Sequence, residues 1–223
     1  MTDNRDNTKA VAKEAVRTGR PQTKDAFGVR YIAVTGMLSA IAFILMFLDF
    51  SVPFMPSFIK LDISELPALI GSFAMGPVCG VLICLIKNLI HLAMSSTGGV
   101  GELSNFVLGV AFVLPAGLIY RHKKSKKSAV IGALAGALLM AVFSVFSNYY
   151  VVYPFYYNFM SEEAIIGAYN AILQVVSGDA QITGILPCLI GFNMPFTFFK
   201  GVISVVITLF TYKHISPLLK GDR

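Results

Sequence analysis

Three lysines lie apart from the other basic residues, and their positions make them the side chains best placed to do chemistry. Of the 18 Lys and Arg residues, 15 fall in the N-terminal stretch, the turn Arg121–Lys127 and the C-terminus. The other three are Lys60, Lys87 and Lys200, which lie against or within hydrophobic segments. A charge inside a membrane is energetically expensive and usually marks a binding or transport site. These lysines therefore indicate a functional site among the apolar segments.

The segment that begins at Lys60 concentrates charge in front of an apolar run. Asp62 and Glu65 follow Lys60 closely, and the residues from Leu61 to Ser64 alternate between apolar and polar. This alternation is typical of an extended strand that presents its polar groups on one side. A solvated polar loop is the alternative interpretation. The cluster of acidic and basic residues directly before a helix start favours a segment that contacts a ligand.

A second polar group begins at Lys87 in the next apolar run. Asn88 and His91 have the i, i+3 spacing that places side chains on one helical face. A lysine near the middle of a membrane needs a partner for its charge, and Glu65 and Glu102 are candidates. Two roles remain open for Lys87, a structural ion pair within the helix bundle and a contact with a ligand.

A third polar group lies in the last apolar run. Asn193, Thr197 and Lys200 have the i, i+4, i+7 spacing, so an amide, a hydroxyl and an ammonium group share one helical face. Pro195 suits the first turn of that helix, and Asn193 can cap it. Capping alone would explain Asn193 but not Lys200. Asn148 ends another apolar run near the same outer level, among tyrosines.

The composition shows which elements must position these residues. The chain of 223 residues is 56% hydrophobic and 13% charged, whereas a soluble domain carries about 25% charge. A membrane-spanning helix takes about 20 residues, so the length allows several spans. We predict an all-α membrane protein with six transmembrane helices. They are Tyr31–Phe50, Glu65–Met75, Val78–Met94, Glu102–Tyr120, Ser128–Val152 and Pro195–Tyr212.

The basic clusters predict the orientation of these helices. Lys and Arg next to apolar spans stay on the cytoplasmic side, which places both termini and the turn Arg121–Lys127 inside the cell. Residues 1–30 are then a cytoplasmic, mostly disordered tail, residues 31–213 a multi-pass domain in the cell membrane, and residues 214–223 a cytoplasmic C-terminal tail.

A long segment, Tyr153–Cys188, is predicted to lie outside the cell. Ile165, Tyr169 and Ile172 recur there at helical spacing, which indicates a short amphipathic helix on the outer surface. A lid over the site and an ordinary interfacial helix are equally compatible with this pattern.

These polar groups converge on the outer half of the predicted bundle, among many Phe and Tyr residues, as in a pocket with apolar walls and a few placed polar contacts. One alternative is a stand-alone carrier or channel for a small solute, although no internal repeat of the kind common in secondary transporters is visible. Another is an intramembrane enzyme that uses Lys87, His91 and Glu102. The lack of a recognisable nucleophile and base disfavours the enzyme.

Five stretches, taken together, resemble a known family. They are Lys60–Ile70, Gly76–Gly80, Lys87–His91, Ser95–Glu102 and Pro195–Gly201. In combination they resemble the substrate-binding (S) subunits of energy-coupling factor (ECF) vitamin transporters, and closely the riboflavin-specific ones. The resemblance implies six helices, a vitamin held near the outer surface, no enzymatic activity and no cofactor besides riboflavin as the transported ligand. It also implies a transmembrane coupling subunit and two cytoplasmic ATPases as partners.

The resemblance also implies roles for individual residues. Lys200 matches the lysine of the family motif Pro-Phe-Asn-Leu-Leu-Lys-Gly, whereas Thr197 stands where that motif has Asn. The expected ligand-binding residues are Lys60, Leu61, Asp62, Glu65, Asn88, Asn148, Asn193, Thr197 and Lys200. An amide offers both a donor and an acceptor, so the Asn148 side chain would suit the imide edge of a flavin. The side chains of Glu65, Thr197 and Lys200 would suit the ribityl hydroxyl groups.

A pair of small residues on the first span, Gly36 and Ala40, is expected to serve a partner. This small-xxx-small spacing allows two helices to approach closely. The family uses such a face of its first helix to dock on the coupling subunit. Packing within the chain itself is the alternative.

Overall fold

The computed structural model describes residues 28–53, 55–56, 59–95, 98–178 and 181–220. The chain divides into two units, residues 1–32 and 33–223. The described part of the first, residues 28–32, contains the start of the first helix, and the side-chain contacts and the cavity described below belong to the second. Most of the predicted N-terminal tail lies outside the described residues.

The described residues are almost entirely helical. The helices are α1 Val29–Phe47, α2 Glu65–Met75, α3 Pro77–Leu92, α4 Val100–His122, α5 Lys126–Ser147, α6 Tyr153–Tyr156, α7 Glu162–Ser177, α8 Ile185–Cys188 and α9 Met194–Lys220. Two π-helical segments, Asn148–Val152 and Leu189–Asn193, join α5 to α6 and α8 to α9. Two short strands, β1 Phe50–Ser51 and β2 Lys60–Leu61, pair antiparallel with Phe50 opposite Leu61.

The helix lengths and apolar surfaces confirm an all-α membrane protein. Four segments are long and apolar enough to cross a bilayer, namely Val29–Phe47, Val100–His122, Lys126–Tyr156 and Ile185–Tyr212. Helices α2 and α3 are apolar but shorter. Because α2 rises about 1.5 Å per residue, its 11 residues cover roughly half of a hydrocarbon core about 30 Å thick.

Helix α2 has the bounds that the sequence predicts, and it is the most deeply buried helix of the fold. Eight of its 11 residues are buried. It ends at Gly76, whose φ of 106° lies in the region that favours glycine, and α3 begins directly afterwards at Pro77. The pair therefore forms a tight helical hairpin, as the Gly76–Pro77 dipeptide predicts.

Small residues allow neighbouring helices to pack closely. A Cβ at Gly136 of α5 would lie 2.2 Å from the carbonyl oxygen of Phe112 in α4, so no larger residue fits there. Helix α1 packs against α3 through Thr35, whose hydroxyl lies 3.2 Å from the Cys79 sulfur. Both contacts hold neighbouring helices close together.

Apart from α2, the first five spans differ from the sequence prediction by one to five residues at each end. Two larger differences concern the last span. The last transmembrane segment begins at Ile185 and continues through the π-helical segment, so Asn193 lies inside a continuous helix. The prediction that Asn193 caps a helix starting near Pro195 is therefore wrong. Helix α9 also continues to Lys220, so it includes residues 214–220 of the predicted C-terminal tail.

Helix α7 confirms the amphipathic helix predicted between the last two spans. Ser161 caps it, since its side-chain oxygen accepts a hydrogen bond from the Ala164 amide at 3.2 Å. Ile165 and Tyr169 are fully buried in a cluster with Val152 and Leu189. Helix α7 is therefore anchored beside the two π-helical segments.

Candidate functional site

A cavity of about 310 Å³ lies where α2, α3, α4, α9 and the end of α5 meet. Its polar lining residues include Lys60, Glu65, His91, Glu102, Ser104, Asn105, Asn148, Asn193, Thr197 and Lys200. Its apolar and aromatic lining residues include Met46, Leu108, Met140, Tyr153, Tyr156 and Phe196. The volume lies at the lower end of the range for small-molecule sites, about 300–1,000 Å³.

A buried ion pair lies at the base of the cavity. Lys87 has no exposed side-chain surface and Glu65 has 1%. The Lys87 ammonium donates hydrogen bonds to Glu65 Oε1 and to Ser64 Oγ, both at 2.7 Å. The predicted partnership of Lys87 and Glu65 is confirmed. Because Glu65 lines the cavity and Lys87 does not, the lysine neutralises the carboxylate without itself lining the cavity.

A second ion pair joins the loop before α2 to the last helix. The Lys200 ammonium donates to Asp62 Oδ2 at 2.6 Å. Ser64 links the two pairs, because its hydroxyl donates to Asp62 Oδ1 at 2.5 Å while it accepts from Lys87. Burial raises the pKa of the Asp62 carboxyl, but Lys200 and Lys87 outweigh it and hold that pKa well below its usual range. Asp62 is therefore an anion at neutral pH.

A histidine–carboxylate contact and one further ion pair border the cavity. His91 Nδ1 lies 2.8 Å from Glu102 Oε1, and the Ser95 hydroxyl donates to the other Glu102 oxygen at 2.8 Å. Lys60 lies 2.8 Å from Asp49, with 52% of its side chain exposed. These contacts tie the end of α3 to the start of α4 and hold β2 close to the end of α1.

Both π-helical segments contribute an asparagine to the cavity wall. Asn148 begins the first segment and Asn193 ends the second. A π-helical turn shifts the face that a helix presents and frequently occurs at functional sites. Tyr169 donates to the Asn193 side-chain oxygen at 2.6 Å. Burial raises the pKa of the Tyr169 hydroxyl well above its usual value, so the group remains a donor.

Six of the nine residues expected to bind a ligand line the cavity: Lys60, Glu65, Asn148, Asn193, Thr197 and Lys200. The other three, Leu61, Asp62 and Asn88, are buried and do not line it. Asp62 holds Lys200, and the Asn88 amide donates to the Cys84 carbonyl at 2.8 Å. These residues lie behind the residues that line the cavity.

Several lining residues were not predicted, among them Ser104, Tyr156 and Phe196. A signal existed for Phe196, because Asn193, Phe196 and Lys200 share one helical face at i, i+3 and i+7. Ser104 and Tyr156 carry no such signal, since their residue types are common in apolar helices.

The structure does not place the three residues of the enzyme alternative in one site. His91 and Glu102 line the cavity, but Lys87 lies outside the lining and is occupied by Glu65 and Ser64. The three proposed catalytic groups therefore do not face one space. The arrangement instead suits the binding of a partly aromatic molecule with several hydrogen-bonding groups.

The small residues on α1 lie away from this cavity. Gly36 and Ala40 are both exposed. A Cβ at Gly36 would meet no described neighbouring atom within 4 Å. The surface around Gly36 is therefore open.

Comparison with known proteins shows the family of this chain. A family model described as the ECF transporter, substrate-specific component, matches residues 30–212. The chain is 33% identical to the riboflavin transporter RibU of Staphylococcus aureus, covering 82% of this chain and 89% of that protein. It is 31% identical to the riboflavin transporter FmnP of Bacillus subtilis, covering 87% and 96%.

A solved S component of a bacterial ECF transporter has the same fold. It superposes with a TM-score of 0.66 at 31% identity, covering 85% of this chain and 97% of that structure. Three findings agree on the family: the family model spans most of the chain, two relatives exceed 30% identity, and the fold matches. The chain belongs to the substrate-specific components of ECF transporters.

Proposed function

We propose that this chain binds riboflavin in the cavity and serves its uptake across the cell membrane as the S subunit of an ECF transporter. The observation that carries this proposal is the cavity itself, in which aromatic walls surround amide, hydroxyl and charged groups. The relatives at 33% and 31% identity are riboflavin transporters. The family consists of transporter components rather than enzymes.

The cavity groups match the chemical parts of a flavin. The Asn148 amide offers a donor and an acceptor, which complement the imide edge of the isoalloxazine ring. Tyr156 and Phe196 supply aromatic surface for the ring. The Lys200 ammonium has three N–H donors, so its bond to Asp62 leaves donors for the ribityl hydroxyls, together with Thr197 and Glu65.

We infer six membrane crossings, with α2 and α3 as the second and third. The four longer spans and the α2–α3 hairpin supply that number of segments. The basic turn at Arg121–Lys127 and both termini would then face the cytoplasm, with residues 1–30 as a cytoplasmic tail. Labelling of a cysteine placed at Ser125 in intact cells by an impermeant reagent would contradict this orientation.

A coupling subunit and two ATPases would complete the transporter, since membership of the family implies such partners. The open surface at Gly36 and Ala40 supports α1 as the docking face for the coupling subunit, because small residues allow two helix backbones to approach closely. Energy for uptake would come from ATP hydrolysis by the partners.

The decisive experiment is purification of the chain in detergent from cells grown with riboflavin. We expect a yellow protein with flavin fluorescence, and calorimetric titration of the flavin-free protein should show saturable riboflavin binding. A colourless protein that takes up no riboflavin would contradict the proposal. Uptake by liposomes containing this chain alone would instead favour a stand-alone carrier.

A further inference from the structure

Tyr169 does not line the cavity, yet it contacts two residues that do. Its hydroxyl lies 2.5 Å from the hydroxyl of Tyr153 and 2.6 Å from the side-chain oxygen of Asn193. The Asn193 amide nitrogen lies 3.4 Å from the Tyr153 hydroxyl. The side chains of Tyr169, Tyr153 and Asn193 therefore form a closed ring of hydrogen bonds, which we call the tyrosine–asparagine ring. Asn193 and Tyr169 are among the buried residues of the fold.

The distances fix the direction of every bond in this ring. A separation of 2.6 Å is typical of an O–H···O bond and shorter than most N–H···O bonds, so the amide oxygen of Asn193 faces Tyr169. Tyr169 has a single hydroxyl proton and donates it to Asn193. Tyr153 must then donate to Tyr169, and the Asn193 nitrogen donates to Tyr153 through the longest bond.

With these bond directions, the two ends of the Asn193 amide differ in the hydrogen bonds that they can still make. Its side-chain oxygen accepts the short bond from Tyr169, which holds that oxygen toward α7. Its NH₂ group has two protons, of which Tyr153 takes one at long range. The amide therefore presents an N–H donor to the cavity, whereas its oxygen is turned away toward α7.

We propose that Tyr169 is a positioning residue that fixes Asn193 as a hydrogen-bond donor, so that this part of the cavity selects an acceptor atom of the ligand. The inference rests on the proposed function and deepens it. In a flavin the matching groups are the carbonyl oxygens and the unprotonated ring nitrogens, whereas the imide N–H would be rejected. Helix α7, which lies outside the cavity lining, thereby contributes to ligand selection.

Asn193→Asp tests the sign of the contact. The carboxylate can accept hydrogen bonds from both Tyr153 and Tyr169, so both hydroxyl donors keep an acceptor, and far-UV circular dichroism of the variant verifies that it is folded. Its oxygens would repel an acceptor on the ligand, and we expect riboflavin binding to weaken at least roughly 100-fold in calorimetry. Binding as tight as that of the parent would show that the ligand needs no N–H donor from Asn193, and the proposal would be overturned.

A double-mutant cycle tests whether Tyr169 acts through Asn193. Tyr169→Phe removes the hydroxyl that holds the amide, and we expect a loss in riboflavin affinity of roughly tenfold. In an Asn193→Ala background the same change should have little further effect, because its target is gone. Equal losses in both backgrounds would mean that Tyr169 only supports α7, which contradicts the proposal.

Tyr212→Phe is the matched control. The Tyr212 hydroxyl donates to the Phe73 carbonyl at 3.4 Å, in an aromatic cluster that does not line the cavity. Its removal should leave riboflavin affinity unchanged. A parent protein that binds no riboflavin would refute the proposed function itself, whereas a binding parent with an unaffected Tyr169→Phe variant would refute only the role of Tyr169.

Discussion

Removal of the Lys87 charge alone should strongly destabilise this protein. The Lys87 side chain is fully buried and its ammonium lies 2.7 Å from Glu65. In Lys87→Met the apolar stem remains, but Glu65 loses its cation. Breaking a buried pair in this way costs about 3–5 kcal/mol, because the remaining charge is uncompensated. At about 2–4 °C per kcal/mol for a chain of this size, the unfolding midpoint should drop by roughly 6–20 °C.

Lys60→Met is the matched control for this experiment. Lys60 also forms an ion pair, with Asp49 at 2.8 Å, but its side chain is 52% exposed. Exposed pairs contribute about 0–1 kcal/mol, so the midpoint should change by at most about 4 °C. The chain has no tryptophan, and the melting curves in detergent are therefore best followed by far-UV circular dichroism.

A double variant separates stability from ligand binding. Lys87→Met combined with Glu65→Leu removes both charges, and replacement of a buried pair by apolar residues is often neutral or stabilising. We expect most of the lost stability to return. Riboflavin affinity should nevertheless stay low, because Glu65 lines the cavity. Equal melting midpoints for Lys87→Met and Lys60→Met would refute the reasoning.

Four further predictions concern the cavity, its support and the docking face. Lys200→Ala and Asn148→Ala should each weaken riboflavin binding roughly 5- to 150-fold in calorimetry, since a buried group that loses its partner costs about 1–3 kcal/mol; unchanged affinity in both would place the flavin elsewhere. Thr197→Asn, which restores the residue of the family motif, should bind riboflavin at least as tightly as the parent, and a clear loss in titration would show that the hydroxyl is specifically required. Because the folded-state pKa of Asp62 is lowered, its contribution to stability is present at neutral pH and is lost as the pH falls below about 4 toward the folded pKa; melting curves should show a smaller acid-induced loss in Asp62→Asn than in the parent. Gly36→Trp should abolish uptake in cells that carry the whole transporter while the purified variant binds riboflavin normally, and loss of both activities would indicate that α1 packs internally instead.

The sequence predicted those features that local physical chemistry determines. A lysine within an apolar helix requires a counter-ion, and this requirement alone makes Glu65 a candidate partner of Lys87. Helix α2 was predicted with its observed bounds because the Gly76–Pro77 turn ends it clearly. The helical spacing from Asn193 to Lys200 also placed three polar groups on one face, and all three line the cavity.

Features that depend on distant pairing could not be predicted. Asp62 and Lys200 are 138 residues apart, and nothing local distinguishes an acid that contacts the ligand from one that neutralises a neighbouring cation. The π-helical segment Leu189–Asn193 has no recognisable sequence signal, so Asn193 was expected at a helix start. Its actual place inside a continuous helix depends on packing against Tyr169 and Tyr153.

The residues behind the cavity wall show why sequence patterns do not separate residues that line the cavity from residues that support it. Lys200 is held by Asp62, Glu65 by Lys87 and Asn193 by Tyr169, and in each pair only the first residue lines the cavity. A buried polar group needs a partner whether or not a ligand is bound, so the supporting residues are as polar as the ones they support. The pairs also restrict the rotamers of the lining residues before the ligand arrives. Less conformational entropy is then lost on binding, which favours tight binding of the ligand.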